Sequence, residues 1–147
     1  MDPFARKMIR SSFAYGGMLL IMFAILTVVY VHVRPPCNDE VIAEVQSPDH
    51  KWIADIMQRR CGDESPFVTH VNLRPATGPV QFAFFTGKAA QGEVFAVEQD
   101  ASAARIDLKW TSPDRLAIEC SGCVAAFMKK RQERWRDLTI AYFLDNG

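Results

Sequence analysis

Four cysteines and three histidines are the residues of this chain with reactive chemistry, and one pair has a spacing that suggests a reaction. Cys120-Ser121-Gly122-Cys123 is a C-x-x-C. At a helix start in a βαβ setting such a pair oxidises thiols, because the helix dipole lowers the pKa of its first cysteine. Here it ends a predicted strand in a chain without thioredoxin-like alternation, so a structural disulfide is favoured over a redox pair. Zinc would need four ligands in tetrahedral geometry, and Cys37, Cys61 and His70 are distant in sequence. His32, His50 and His70 have no neighbours that form a triad or a metal pair. His70, between Thr69 and Val71, reads as a sheet-surface residue. Asp49, Asp63, Glu64 and Asp114 fall in predicted turns, where short acidic side chains cap backbone donors. No Gly-rich phosphate loop follows a strand, and no aromatic-basic strand pattern points to nucleic acid. No catalytic, metal or cofactor-binding residue is expected, and the chain does not read as an enzyme.

The elements that must carry these residues divide at a long apolar run. Phe13 to Val33 contains no Asp, Glu, Lys or Arg, and about 20 apolar residues suffice for a helix to cross a hydrocarbon core roughly 30 Å thick. Tyr15 and Tyr30 sit where interfacial aromatics belong. A cleaved signal peptide is the alternative, but signal cores are shorter and the exit, HVRPPCNDE, lacks a small-residue cleavage site. Arg6, Lys7 and Arg10 precede the run and only Arg34 follows closely, so the positive-inside bias puts the N-terminus in the cytoplasm. The expected organisation is a cytoplasmic tail over 1–12, a transmembrane helix over 13–33 and one extracytoplasmic domain over 34–147. Zero net charge and a pI near 6.8 give no general attraction to nucleic acid.

Past the run, short β-branched and aromatic segments alternate with turn residues. Strands are predicted at Glu40–Ser47, Lys51–Arg59, Pro66–Arg74, Val80–Thr86, Glu93–Glu98, Arg105–Thr111, Arg115–Cys120 and Trp135–Leu144. Ile106/Leu108/Trp110 and Leu138/Ile140/Tyr142 alternate as in sheets with one packed face. The fold class is therefore one transmembrane helix plus a mainly-β antiparallel meander, a small sandwich or partly open barrel with one short helix. If the first two strands form a hairpin centred on Asp49, paired numbers sum to 98, and Cys37 faces Cys61 within disulfide reach. A slip or bulge would undo that pairing. An oxidising compartment would leave Cys120 bonded to Cys123.

Val124–Trp135 has helix formers and no turn residues, and reads as a short helix or long loop. Its charges, Lys129, Lys130, Arg131 and Arg134, form either a solvated face or a contact for an acidic protein or lipid headgroups. With Phe127 and Met128 they are the candidate partner-binding residues.

Ser47-Pro48-Asp49-His50-Lys51-Trp52, Arg60-Cys61-Gly62 and Phe67 to Val71 together resemble small, uncharacterised bacterial membrane-anchored proteins with an extracytoplasmic β domain. Trp110 to Leu116 fits their strand-turn-strand style, and His50 stands where an SPDG-type turn has Gly. The resemblance implies an envelope location and no reaction, which with the apolar run gives a single-pass protein of the bacterial inner membrane whose C-terminal domain is periplasmic or extracellular. The expected function is protein–protein interaction as an accessory subunit of a membrane complex, with the bilayer and another envelope protein as partners. A thiol oxidoreductase using Cys120 and Cys123 and an envelope ligand-binding domain are the alternatives.

Overall fold

The computed structural model describes residues 3–33, 37–82 and 92–144. Contacts divide the chain into two units, parted between residues 35 and 36. The first contains one helix, α1 (Pro3–Val33), longer than the expected 13–33. Its side chains from Leu19 to Tyr30 are exposed on every face, and Thr27 Oγ1 donates back to Phe23 O at 2.8 Å. Among the described residues no helix is long and apolar enough to cross a membrane.

The second unit is built from two sheets. Strands β1 (Asn38–Gln46), β2 (Trp52–Arg60), β3 (Val68–Pro75), β4 (Glu93–Val97) and β7 (Met128–Arg131) form an antiparallel sheet in the order β1-β2-β3-β4-β7. Strands β5 (Ile106–Ser112), β6 (Arg115–Cys120), β9 (Leu138–Leu144) and β8 (Arg134–Trp135) form the other, in the order β5-β6-β9-β8. One buried cluster joins them: Ile56, Leu73 and Phe95 from the first sheet, Leu108, Ile118 and Ile140 from the second. The expected alternation is present, since Leu108, Leu138 and Ile140 are buried while Asp107, Lys109 and Thr139 are exposed. The Trp110 indole donates to Val45 O of β1 at 3.1 Å, tying the sheets at one end.

Three expectations need correcting. The Val124–Trp135 segment is not one short helix or loop: after a 3-10 turn at Ala125–Phe127 it forms β7 on the first sheet and β8 on the second. Because that excursion carries the chain from one sheet to the other and back, β9 returns beside β6 in parallel, not as a meander. The short helix lies instead at α2 (Ala101–Ala104), where the Asp100 carboxylate accepts from Ala103 N. Beyond Phe82, the strand expected over Val80–Thr86 falls outside the described residues.

The third correction is the hairpin centre. Gln46 pairs with Ile53 and Val45 with Ala54, a sum of 99 rather than 98. The turn is held by Ser47, whose hydroxyl donates to Asp49 Oδ1 at 2.7 Å and accepts from Trp52 N at 3.0 Å. His50 occupies the glycine position with φ of 59°. A bulge between Val41 and Ala43 then shifts the register, so Asp39 pairs with Arg59 and Asn38 with Arg60. That shift brings Cys37 opposite Cys61, and the two are bonded with Cα atoms 3.9 Å apart.

Candidate functional site

The structure places the sequence-predicted residues in three places. Cys37–Cys61 closes the open end of the β1–β2 hairpin. Cys120–Cys123, with Cα atoms 5.6 Å apart, links the end of β6 to the crossover. Cys120 is buried, and its sulfur lies 3.0 Å from Ala104 O. As half of a disulfide it carries no proton, so this is a packing contact. Gly122 approaches α2 closely enough that a Cβ there would sit 1.9 Å from Ala103 O. Gln99 fixes the segment from the other side: its amide donates to Gly122 O at 3.0 Å and accepts from Val124 N at 2.9 Å.

The partner-binding candidates from Met128 to Arg131 lie along one edge of the first sheet, with Phe127 just before them, whereas Arg134 belongs to the second sheet. Phe127 ends the 3-10 turn and is 45% exposed. Met128, Lys129, Lys130 and Arg131 form β7, and Arg134 opens β8. Lys129 pairs with Glu98 at 2.9 Å, and Arg131 stacks 4.7 Å above the Tyr142 ring. Burial pushes the Tyr142 hydroxyl up to about 12, although the bond it accepts from Gln132 N and the charge of Arg131 oppose this. Gln132 N donates to Val94 O, so strand alternation turns the backbone groups of Arg131 away from β4. Lys129 is the extra residue of a bulge.

Sequence reasoning missed a polar face on the other side of the same sheet. By the two-residue period, Ala54, Ile56, Val71 and Leu73 face the shared core. Asp55, Arg59, His70, Asn72 and Arg74 face the opposite way. His70 is not a sheet-surface residue: its side chain is fully buried. Arg59 bonds both Asp39 oxygens, at 2.7 and 3.0 Å, and reaches Glu93 at 2.8 Å. The His70 ring lies between the same carboxylates, 3.5 Å from Asp39 and 3.4 Å from Glu93. Burial works against the Arg59 charge, but the two carboxylates outweigh it and hold the guanidinium above its ordinary value.

A second cluster lies farther along. Arg74 bonds Asp55 at 2.8 Å, Glu44 at 2.6 Å and Gly78 O at 2.8 Å. Burial pushes the Asp55 carboxyl up, with Arg74 and Asn72 pulling it partly back. Among the described residues no group of three or more His, Cys, Asp or Glu is placed to hold a metal ion. The signal for this face was available in the polar alternation of Asp55/Arg59 and His70/Asn72/Arg74. Such a pattern ordinarily reads as a wetted face, and that conceals its burial.

Beside the second cluster is a cleft of about 230 Å³, lined by Asn72, Arg74, Thr77, Gln81, Trp135 and Arg136 among others. Trp52 and Trp135 meet edge to face at 5.3 Å, and the Arg136 guanidinium lies over both rings, at 5.6 and 4.7 Å. No protein-family model, curated protein or solved structure matches this chain.

Proposed function

We propose that the chain is a bitopic envelope protein of the bacterial inner membrane, whose disulfide-stapled β domain binds another membrane or envelope protein as an accessory subunit. The observation that carries the binding reading is the edge strand β7, followed by Arg134 on β8 of the other sheet. It ends the first sheet and presents backbone groups that a strand of a partner would pair with, flanked by cationic side chains that an acidic partner would neutralise. Lys130 and Arg134 make no ion pair among the described residues, so their charges are available.

The membrane reading rests on the uncharged run from Phe13 to Val33. A helix that is apolar all round belongs in a protein core or in lipid. A redox reading is less well supported, because a catalytic thiol must be accessible and Cys120 is 1% exposed. Purifying the intact chain in mild detergent beside a Lys130→Glu/Arg134→Glu variant tests the proposal. A protein that accompanies the native chain and is lost from the variant, with both disulfides retained, supports the edge. Equal recovery from both would remove it.

A further inference from the structure

We infer, building on the β7 reading above, that its partner is a second copy of this chain: the acidic edge β1 of one copy adds beside the basic edge β7 of the next. β1 and β7 are the two outer strands of one sheet, so each copy carries both halves of the contact. β1 reads NDEVIAEVQ, with no Lys or Arg, and its residues from Glu40 to Glu44 are exposed. β7 reads MKKR, with no Asp or Glu. Two copies of β1 side by side would set Glu40 and Glu44 against each other, and two of β7 would do the same with Lys129, Lys130 and Arg131. Like charges opposite one another destabilise a strand pair and opposite charges support it. The charges therefore select β1 against β7.

The backbone sets the register independently. Ser47 N donates to Trp52 O, and bonded pairs in an antiparallel ladder alternate with pairs whose backbone groups turn away. Val45, opposite Ala54, is therefore bonded to β2, while Glu44 and Gln46 turn their backbone groups to the open edge. On β7 the residue that turns outward is Arg131, because Gln132 N bonds Val94 O. Four antiparallel pairings separate the two edges, so β1 and β7 run in the same direction. A copy added with its core on the same side thus pairs in parallel, and the Arg131 backbone bonds Glu44 O and Gln46 N. Arg131 then lies opposite Val45, and both face the core, Val45 packed against it and Arg131 stacked on Tyr142. One residue back, Lys130 lies opposite Glu44 on the other face. Lys130 makes no ion pair among the described residues, and the Glu44 side chain is 51% exposed despite its bond to Arg74. The register that the backbone allows is also the one that matches the faces and joins the charges. Such a head-to-tail contact adds copies until a ring closes.

The test uses the full-length chain in density-matched detergent micelles and follows protein mass by sedimentation equilibrium. The mass of the native chain should grow with concentration beyond that of one copy. Glu44→Lys and Lys130→Glu should each weaken association about tenfold, by turning an attractive cross-strand pair into a repulsive one. An equimolar mixture of the two variants, or one chain carrying both substitutions, should associate like the native chain. That rescue separates a lost contact from a damaged fold. If Glu44→Lys does not fold, Glu44→Gln takes its place and should weaken association about threefold, since it removes only the attraction. A native chain of single mass at every concentration would overturn the inference. So would association that neither variant weakens, or a loss that the mixture and the doubly substituted chain leave unrestored. Failure here is distinct from failure of the β7 edge. A different protein that accompanies a single-mass native chain, and is lost from Lys130→Glu/Arg134→Glu, would keep the edge and give it another partner.

Discussion

Arg59 bonds carboxylates on both sides in a place that water barely reaches, with the side chains of Asp39 and His70 fully buried beside it. Removing one member of a buried ion cluster leaves the remaining charges uncompensated, which costs about 3–5 kcal/mol. Arg59→Met keeps the aliphatic stem and deletes the charge, so it should destabilise the β domain by that order in urea unfolding. Lys129→Ala breaks only the more exposed pair with Glu98 and should cost under about 1 kcal/mol. Asp55 gives a pH signature of known sign. Its folded pKa is raised above 3.8 by burial, so its contribution to stability is complete below 3.8 and is lost as pH rises through the folded value. Asp55→Asn removes that titration. The stability of the variant relative to the native chain should therefore improve as pH rises through that window. A constant difference between the two across the window would show that Asp55 titrates alike folded and unfolded. None of this was legible residue by residue, because a lone His between Thr and Val carries no mark of burial.

The strand segments were legible in the β-branched runs and the turn residues between them, with boundaries one or two residues out at most ends. The crossover was not, because the edge strand MKKR carries no β-branched residue to distinguish it from a helix or loop. The Cys37–Cys61 pairing was reached through a register that holds only at the far end of the hairpin. Near the turn the pairing is one residue off, and the bulge between Val41 and Ala43 compensates. Turn length and bulge together set the bond, and local sequence pattern does not expose a bulge. At the crossover, Gly122 matters as much as the cysteines around it. A Cβ at this position would collide with Ala103 O, so Gly122→Ala must push the segment off α2 and break the Gly122 N bond to Ala104 O. It should cost about 1–3 kcal/mol, whereas Gly16→Ala, where a Cβ meets nothing within 4 Å, should cost nothing measurable. Replacing Cys120 and Cys123 by Ser should also lower the unfolding temperature and leave no insulin-reduction activity to lose. Turnover that vanishes in the Ser variant, with unfolding unchanged, would instead establish the pair as a redox centre.

The proposed membrane location can be weighed by magnitude. Thirteen large apolar or aromatic side chains between Phe13 and Tyr30 are exposed on α1, most of them more than half. At about 1.5–3 kcal/mol for each such side chain removed from water, their transfer to an apolar phase is worth more than about 20 kcal/mol. That exceeds the whole stability of an ordinary domain, about 5–15 kcal/mol, so α1 does not remain in water by itself. The lipid of the proposed reading would satisfy it directly: a helix completes its own backbone hydrogen bonds, and the uncharged stretch would present no ion to the hydrocarbon. On the proposed reading, Arg6, Lys7 and Arg10 on one side of that stretch would hold the N-terminus in the cytoplasm and leave the cysteines in an oxidising compartment where two disulfides persist. A phosphatase reporter fused after the last residue, active only outside the cytoplasm, should therefore be active. The chain should resist alkaline extraction from membranes, and a chain beginning at residue 36 should leave the membrane fraction with both disulfides formed. Activity of a cytoplasmic reporter at that terminus would reverse the orientation and remove the explanation for the disulfides. Release of the full chain into the alkaline wash would show instead that α1 buries its apolar surface against protein.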